Sequence, residues 1–154
     1  MRTEIATTYD QSKRLMDCGV PADTADMFYQ TPITASQKAT REDILLVRKA
    51  DKTLFDTDIP AWSLSALLEL LPSYLEDFPF TKWIKPFGDG EICEKDHEST
   101  LSGYVRLYRS ETHWIVDYDW DGFMGTLPQS ENPIEACVRA IELLYANGYK
   151  FNEL

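Results

Sequence analysis

Residues 117 to 122, Asp-Tyr-Asp-Trp-Asp-Gly, carry carboxylates at alternate positions followed by a glycine, which is how a calcium-binding loop begins. Such a loop takes ligands from its first, third and fifth positions, turns sharply on a glycine at the sixth, and needs a bidentate carboxylate at the twelfth. Counted from Asp117, Asp119 and Asp121 fall at the third and fifth positions and Gly122 at the sixth. The twelfth is Pro128, which has no carboxylate, and Glu131 lies beyond it. The residues before the stretch, Thr112 to Tyr118, alternate as a strand does. A period of two sends Trp114, Val116, Tyr118 and Trp120 to one face and Asp117 and Asp119 to the other, with Asp121-Gly122 as a turn. The expectation is therefore a β-ribbon whose carboxylates stay wet, separate and uncoordinated, with no metal and no cofactor.

Two further sets of residues have the types that chemistry needs. Cys93 lies four residues before His97, but a structural zinc takes four close ligands and a nucleophilic Cys/His pair needs a third group to orient it. Both are expected to decorate a solvated loop. Metal-assisted hydrolysis by His113, Asp117 and Asp119 requires them on one strand face, which the alternation allows and nothing else supports. Aromatic residues on a sheet can stack nucleic-acid bases, and Arg106 would help them. Yet the chain carries 26 acidic against 15 basic residues and a net charge of -11, the wrong sign for phosphates. Packing beneath a helix is the expected use of those rings. No glycine-rich phosphate loop, GxSxG, HExxH or dinucleotide fingerprint occurs in the sequence.

The elements that position these residues follow from caps and periodicity. Thr8 with Gln11 three residues on is a capping box opening a helix over about residues 9 to 18, which Gly19 and Pro21 stop; Leu15, Met16 and Cys18 are its expected inward side chains. "PADTADMFY" permits another helical turn, and residues 30 to 43 read as a polar loop. "DILLVR" and "TLFDT" suggest a small hairpin. In "PAWSLSALLELLP", Leu64, Leu67, Leu68 and Leu71 form one helical stripe, with Ser63 as cap, Trp62 stapled on Leu67 and Pro72 at the end. "FTKWIKPF" reads as an edge strand because Pro86 cannot donate to a ladder. An acidic loop over residues 88 to 100 follows.

Then "GYVRLYR" and "HWIVDYDW" flank "SET" as a hairpin. With Arg109 facing His113, Tyr108 lies opposite Trp114 and Tyr104 opposite Tyr118, all on one inward aromatic face. Finally Asn132, Pro133 and Glu135 open a helix that Gly148 closes. Its buried stripe is Ile134, Cys137, Val138, Ile141, Leu144 and Tyr145, with Glu135, Arg139 and Glu142 opposite.

A chain of 154 residues fits one domain and buries roughly 68 to 70% of its unfolded surface. The hydrophobic share of 44% is that of a folded protein, so a core is expected. Cys18, Cys93 and Cys137 are odd in number and far apart, which argues against a disulfide framework. The polar N-terminus does not read as a signal peptide and no apolar run reaches the length of a membrane span, so the expected location is the cytoplasm.

The stretches "TTYDQSKRLMDCGVPADTADM", "DIPAWSLSALLELLP" and "NPIEACVRAIELLYANGY" resemble small uncharacterised proteins of gut Bacteroidetes, often met in prophage-like or other mobile-element regions. The likeness covers both ends and the middle of the chain, and "PAWSLSALLELLP" is its most specific part. It implies an accessory role on mobile DNA and carries no site residues with it. The expected fold is α+β, an antiparallel sheet of about four strands with helices packed on one face. The expected function is non-enzymatic and works through binding another protein, with a basic one favoured by the charge and neither nucleic acid nor membrane bound directly. The alternatives are an acidic nucleic-acid-mimicking inhibitor of a host enzyme and a metal-dependent hydrolase.

Overall fold

The computed structural model of the chain describes residues 5–30, 44–47, 59–84, 92–118 and 128–150, with residues 30, 44–47, 83–84 and 92–99 described as backbone. Helix α1 spans Tyr9–Cys18. Its capping box forms as the sequence requires: the Gln11 N–H donates to Thr8 Oγ1, and the Thr8 N–H donates to Gln11 Oε1. Gly19 ends it in the left-handed region at φ 108°, where its N–H returns to the last turn. The buried face is Gln11, Ser12 and Leu15, whereas Met16, expected inside, is exposed. Polar Gln11 and Ser12 point inward because they have partners there, Glu135 and Thr7.

A single 3₁₀ turn over Ala22–Thr24 follows. It leads into strand β1, Met27–Gln30, which the local sequence did not announce. β1 is central to a three-stranded antiparallel sheet, between β2 (Ile44–Val47) and β3 (Ile59–Ala61). The segment "TLFDT" lies outside the described residues; the described partner of β2 is β1, with Phe28 opposite Leu46.

Helix α2, Leu64–Leu70, is capped by Ser63, whose Oγ accepts from the Ala66 N–H. Its inward arc is Ala66, Leu67 and Leu70, continued by Leu71, so the angular centre falls away from Leu68, which is exposed. β4 (Tyr74–Ile84) and β5 (Ile92–Tyr104) form a long antiparallel ribbon with two register shifts, between Leu75 and Phe78 and between Phe80 and Lys82. Residues 92 to 100 are thus strand, where the charged sequence read as loop; Pro86 and residues 88 to 91 lie outside the described residues. β6 (Arg106–Ser110), β7 (His113–Asp117) and the short β8 (Gln129–Ser130) make the third sheet.

Helix α3, Pro133–Ala146, opens as expected, with Asn132 Oδ1 accepting from the Ile134 N–H at 2.7 Å and Pro133 in its first turn. It packs on α1, α2, β4, β7 and β8, which makes it the axis of the main core. Ile134, Cys137, Val138, Ile141 and Leu144 are buried, joined by Ala136, Ala140 and Leu143. Around them lie Leu15, Trp62, Leu67, Phe80, Leu101, Val116 and Tyr118. Ala6, Met27 and Ala61 form a smaller cluster beneath Tyr29.

The architecture is mixed α+β, with three α-helices among the described residues. Among the described residues the strands form antiparallel sheets of three, two and three strands, and a single sheet of about four is not among them. The division has a physical basis: α2 intervenes between the first sheet and the ribbon, and the ribbon's irregularities bend its ladder.

Candidate functional site

The hairpin that holds Asp117 closes one residue tighter than "SET" suggested. Ser110 pairs with His113, so the turn is Glu111-Thr112 alone, with Glu111 in the left-handed region at φ 51°. Two-residue hairpin turns require positive φ, which usually brings glycine or asparagine. Glutamate gave no such signal. The tighter turn shifts the register: Tyr108 lies opposite Ile115 and Arg109 opposite Trp114.

One residue of slip exchanges the faces of a whole strand. β7 sorts as its alternation predicts, with Val116 and Tyr118 buried and Trp114 packed on the core. β6 is reversed: Val105 and Leu107 pack inward, and Tyr104, Arg106 and Tyr108 are exposed. The inward rings of β7 therefore lie under α3, while the tyrosines expected to oppose them lie on the outer surface. Trp120 lies outside the described residues.

Asp117 sits on that outer face but is not wet. Its carboxylate is 5% exposed and accepts two hydrogen bonds from the opposite residue, Arg106 Nε to Oδ1 at 2.7 Å and Arg106 Nη2 to Oδ2 at 3.0 Å. Such a fork satisfies both oxygens in one plane. The expectation that this carboxylate is solvated is corrected: it is buried and paired with Arg106. Asp119, Asp121 and Gly122 lie outside the described residues, and among those described no group of three or more His, Cys, Asp or Glu is placed to hold a metal.

His113 and Asp117 do share a strand face, but four residues of strand separate them by about 13 Å, too far for one ion or one reacting atom. His113 Nδ1 is hydrogen-bonded to Thr112 Oγ1 at 2.8 Å. Cys93 and His97 fall on β5, not on a loop, and their side chains lie outside the described residues. Burial pushes the Cys137 thiol up to about 12, and burial with the nearby Glu142 charge pushes Cys18 up to about 11, so neither supplies a thiolate near neutrality. Since Asp117 already belongs to Arg106, calcium at millimolar concentration is expected to leave the melting temperature and the tryptophan fluorescence unchanged. A rise in melting temperature that disappears in Asp117→Asn would show the opposite.

What the outer face does present is a row of rings. Tyr104 is 71% exposed and Tyr74 45%, and their ring centroids lie 4.9 Å apart at 54°. Two residues along, Arg106 is held by Asp117 and places its guanidinium carbon 5.7 Å from the centre of the Tyr108 ring. The Tyr108 hydroxyl is pushed above its ordinary value, first by desolvation and then by the Asp117 carboxylate. Beside this row, the irregular segment of β4 carries Glu76 and Asp77, and the Asp77 N–H donates to Ser102 Oγ at 2.9 Å. That bond sets an acidic corner two residues from Tyr104.

The sequence matches no family model, and neither a curated protein nor a solved structure matches it. Among the described residues, no helix is long and apolar enough to cross a membrane.

Proposed function

We propose that the protein is a non-enzymatic accessory factor, of a prophage or other mobile element, that acts by binding another protein. The observation that carries this is the exposed row Tyr74, Tyr104, Arg106 and Tyr108. Tyrosine and arginine are the residue types that dominate binding energy at protein interfaces. They are also held before any partner arrives, the first two by their mutual ring contact and Arg106 by its fork to Asp117. Side chains already ordered lose little entropy on binding. The favoured partner surface is basic, because Asp117 cancels the charge of Arg106 and Glu76, Asp77 and Glu111 remain nearby on a chain of net charge -11.

Affinity capture from a bacterial lysate with the wild type and with Tyr104→Ala/Tyr108→Ala tests this. The expected result is one stoichiometric partner whose affinity falls at least about tenfold in the double variant while the melting temperature holds. Retention that follows salt but ignores the tyrosines would replace this reading with nucleic-acid mimicry. Retention of nothing at stoichiometric level would remove it.

A further inference from the structure

The chain has three asparagines, and their successors differ in what they allow. Asn132 precedes Pro133, which has no N–H; Asn152 precedes Glu153, whose side chain crowds its own amide; Asn147 precedes Gly148. Only Asn147 is followed by a residue that has a backbone N–H and no side chain to crowd it.

Asn147 is also the latch between α3 and β4. Its Oδ1 accepts from the Thr81 and Lys82 N–H groups, each at 2.8 Å. Its Nδ2 donates to the Lys82 carbonyl at 3.1 Å and to the Leu143 carbonyl at 2.9 Å. These bonds fall where the β4–β5 register shifts between Phe80 and Lys82. One side-chain amide thus stands in for the strand that the ladder lacks there, and it ties that strand to the last turn of the helix. The turn itself closes through Gly148 N–H to Tyr145 O and Tyr149 N–H to Leu144 O, both at 3.0 Å, with Gly148 at φ 94°.

We propose that Asn147-Gly148 is a site of spontaneous deamidation, gated by opening of the α3 terminus, and that the reaction releases β4 for good. The Gly148 nitrogen attacks Asn147 Cγ, forming a new C–N bond. The Cγ–Nδ2 bond breaks, and ammonia leaves with the proton that Gly148 gives up. Water then opens the five-membered imide at either carbonyl, leaving an aspartyl or an isoaspartyl residue; nothing is oxidised or reduced.

The closed fold forbids the first step. Ring closure needs the Gly148 nitrogen eclipsed with Cβ of Asn147, whereas ψ of 12° eclipses it with Asn147's own nitrogen, a tetrahedral step away. The bond must swing, so the latch and the helix end must open first. Asn147 is half-buried and Gly148 exposed, which leaves water free to enter. After reaction the latch cannot re-form as it was. A carboxylate has no hydrogen for the Lys82 and Leu143 carbonyls, its charge sits at the negative end of the helix dipole, and the isoaspartyl form adds a methylene to the main chain.

The test holds the full chain at physiological temperature and neutral pH, folded and in urea, and follows each asparagine by peptide mass and by ammonia release. Asn147 should convert to both products while Asn132 and Asn152 persist, at least about tenfold more slowly folded than in urea. The deamidated fraction, separated by charge, should be cut faster by protease within residues 78–84, and Asn147→Asp should reproduce that sensitivity. Equal rates folded and unfolded would remove the gate, and a folded sample in which Asn147 never converts while the unfolded one does would remove the reaction from the native protein. Unchanged protection of residues 78–84 in both the deamidated chain and Asn147→Asp would remove the release of β4.

Discussion

Replacing Trp62 with alanine is expected to lower the unfolding free energy by about 4 kcal/mol and the melting temperature by roughly 10 °C. Trp62 is fully buried at the junction of β3 and α2, so truncation removes the largest of the described side chains that lie wholly in the core. Its polar atoms are equally committed. The indole Nε1–H donates to Thr24 Oγ1 at 2.9 Å, and Thr24 in turn donates to the Pro21 carbonyl at 2.6 Å. The backbone N–H donates to Thr7 Oγ1 at 3.0 Å, and the backbone carbonyl accepts from the Thr7 N–H at 2.9 Å.

The ring therefore ties the 3₁₀ turn to the core, and truncation removes that tie together with the packing, while the backbone bonds to Thr7 remain available to alanine. Thr24→Val separates the two contributions. It keeps the packing and orphans the buried indole N–H, which costs about 1–3 kcal/mol. Urea unfolding of both variants measures them. A loss below about 1 kcal/mol for Trp62→Ala would mean that this side chain does not organise the core.

The features legible in the sequence were those settled within one turn of chain. Thr8 with Gln11 and Asn132 with Pro133 fixed the helix starts because the groups that satisfy a helix's free N–H donors are local. The α3 stripe was legible for the same reason, since periodicity declares which face is apolar. Strands depend on partners elsewhere. "EKDHEST" has the composition of a solvated loop, yet it lies within β5, with Glu94, Ser99 and Thr100 paired to Lys82, Phe80 and Pro79 of β4. β3 holds only Ile59, Pro60 and Ala61 and is defined by pairing with β1.

The candidate site turned on a smaller matter still. Because Glu111 adopts a conformation that its residue type does not advertise, the hairpin closes one residue earlier, and Tyr104 and Tyr108 move from the expected core to the surface. The same shift gave Asp117 its arginine. Alternation identified the faces of β7 correctly and could not say which residues of β6 would share them.

Arg14→Met is expected to cost about 2 kcal/mol at neutral pH, and the cost should vanish in acid. Arg14 reaches from α1 to two carboxylates on α3. Nη1 meets Glu135 Oε1 at 2.7 Å and Nη2 meets Oε2 at 3.1 Å, while Nε meets Glu142 Oε2 at 3.2 Å and Nη2 also contacts Oε1. Glu135 is further held by Gln11 Nε2 at 3.1 Å and Arg139 Nε at 2.9 Å. The carboxylates are 15% and 26% exposed and Arg14 is 37% exposed, so solvent screening keeps the loss below the 3–5 kcal/mol typical of a fully buried pair.

Burial alone would raise the Glu135 carboxyl, but the hydrogen bonds from Arg14 and Gln11 and the charges of Arg14 and Arg139 outweigh it and hold the group below the ordinary carboxylate range. A carboxyl depressed in the folded state contributes stability above its unfolded pKa of about 4.3, and that contribution disappears as pH falls through the lower folded value. The wild type should therefore lose stability steeply below about pH 4, whereas Arg14→Met, lacking the largest cause of the depression, should lose less. The two unfolding free energies, measured in urea across that range, should converge. Arg14→Lys should fall between them at neutral pH, because an ammonium supplies the charge without the fork that spans two carboxylates. A gap that stays constant from neutral pH to acid would show that Arg14 acts through its hydrocarbon stem and not through Glu135 and Glu142.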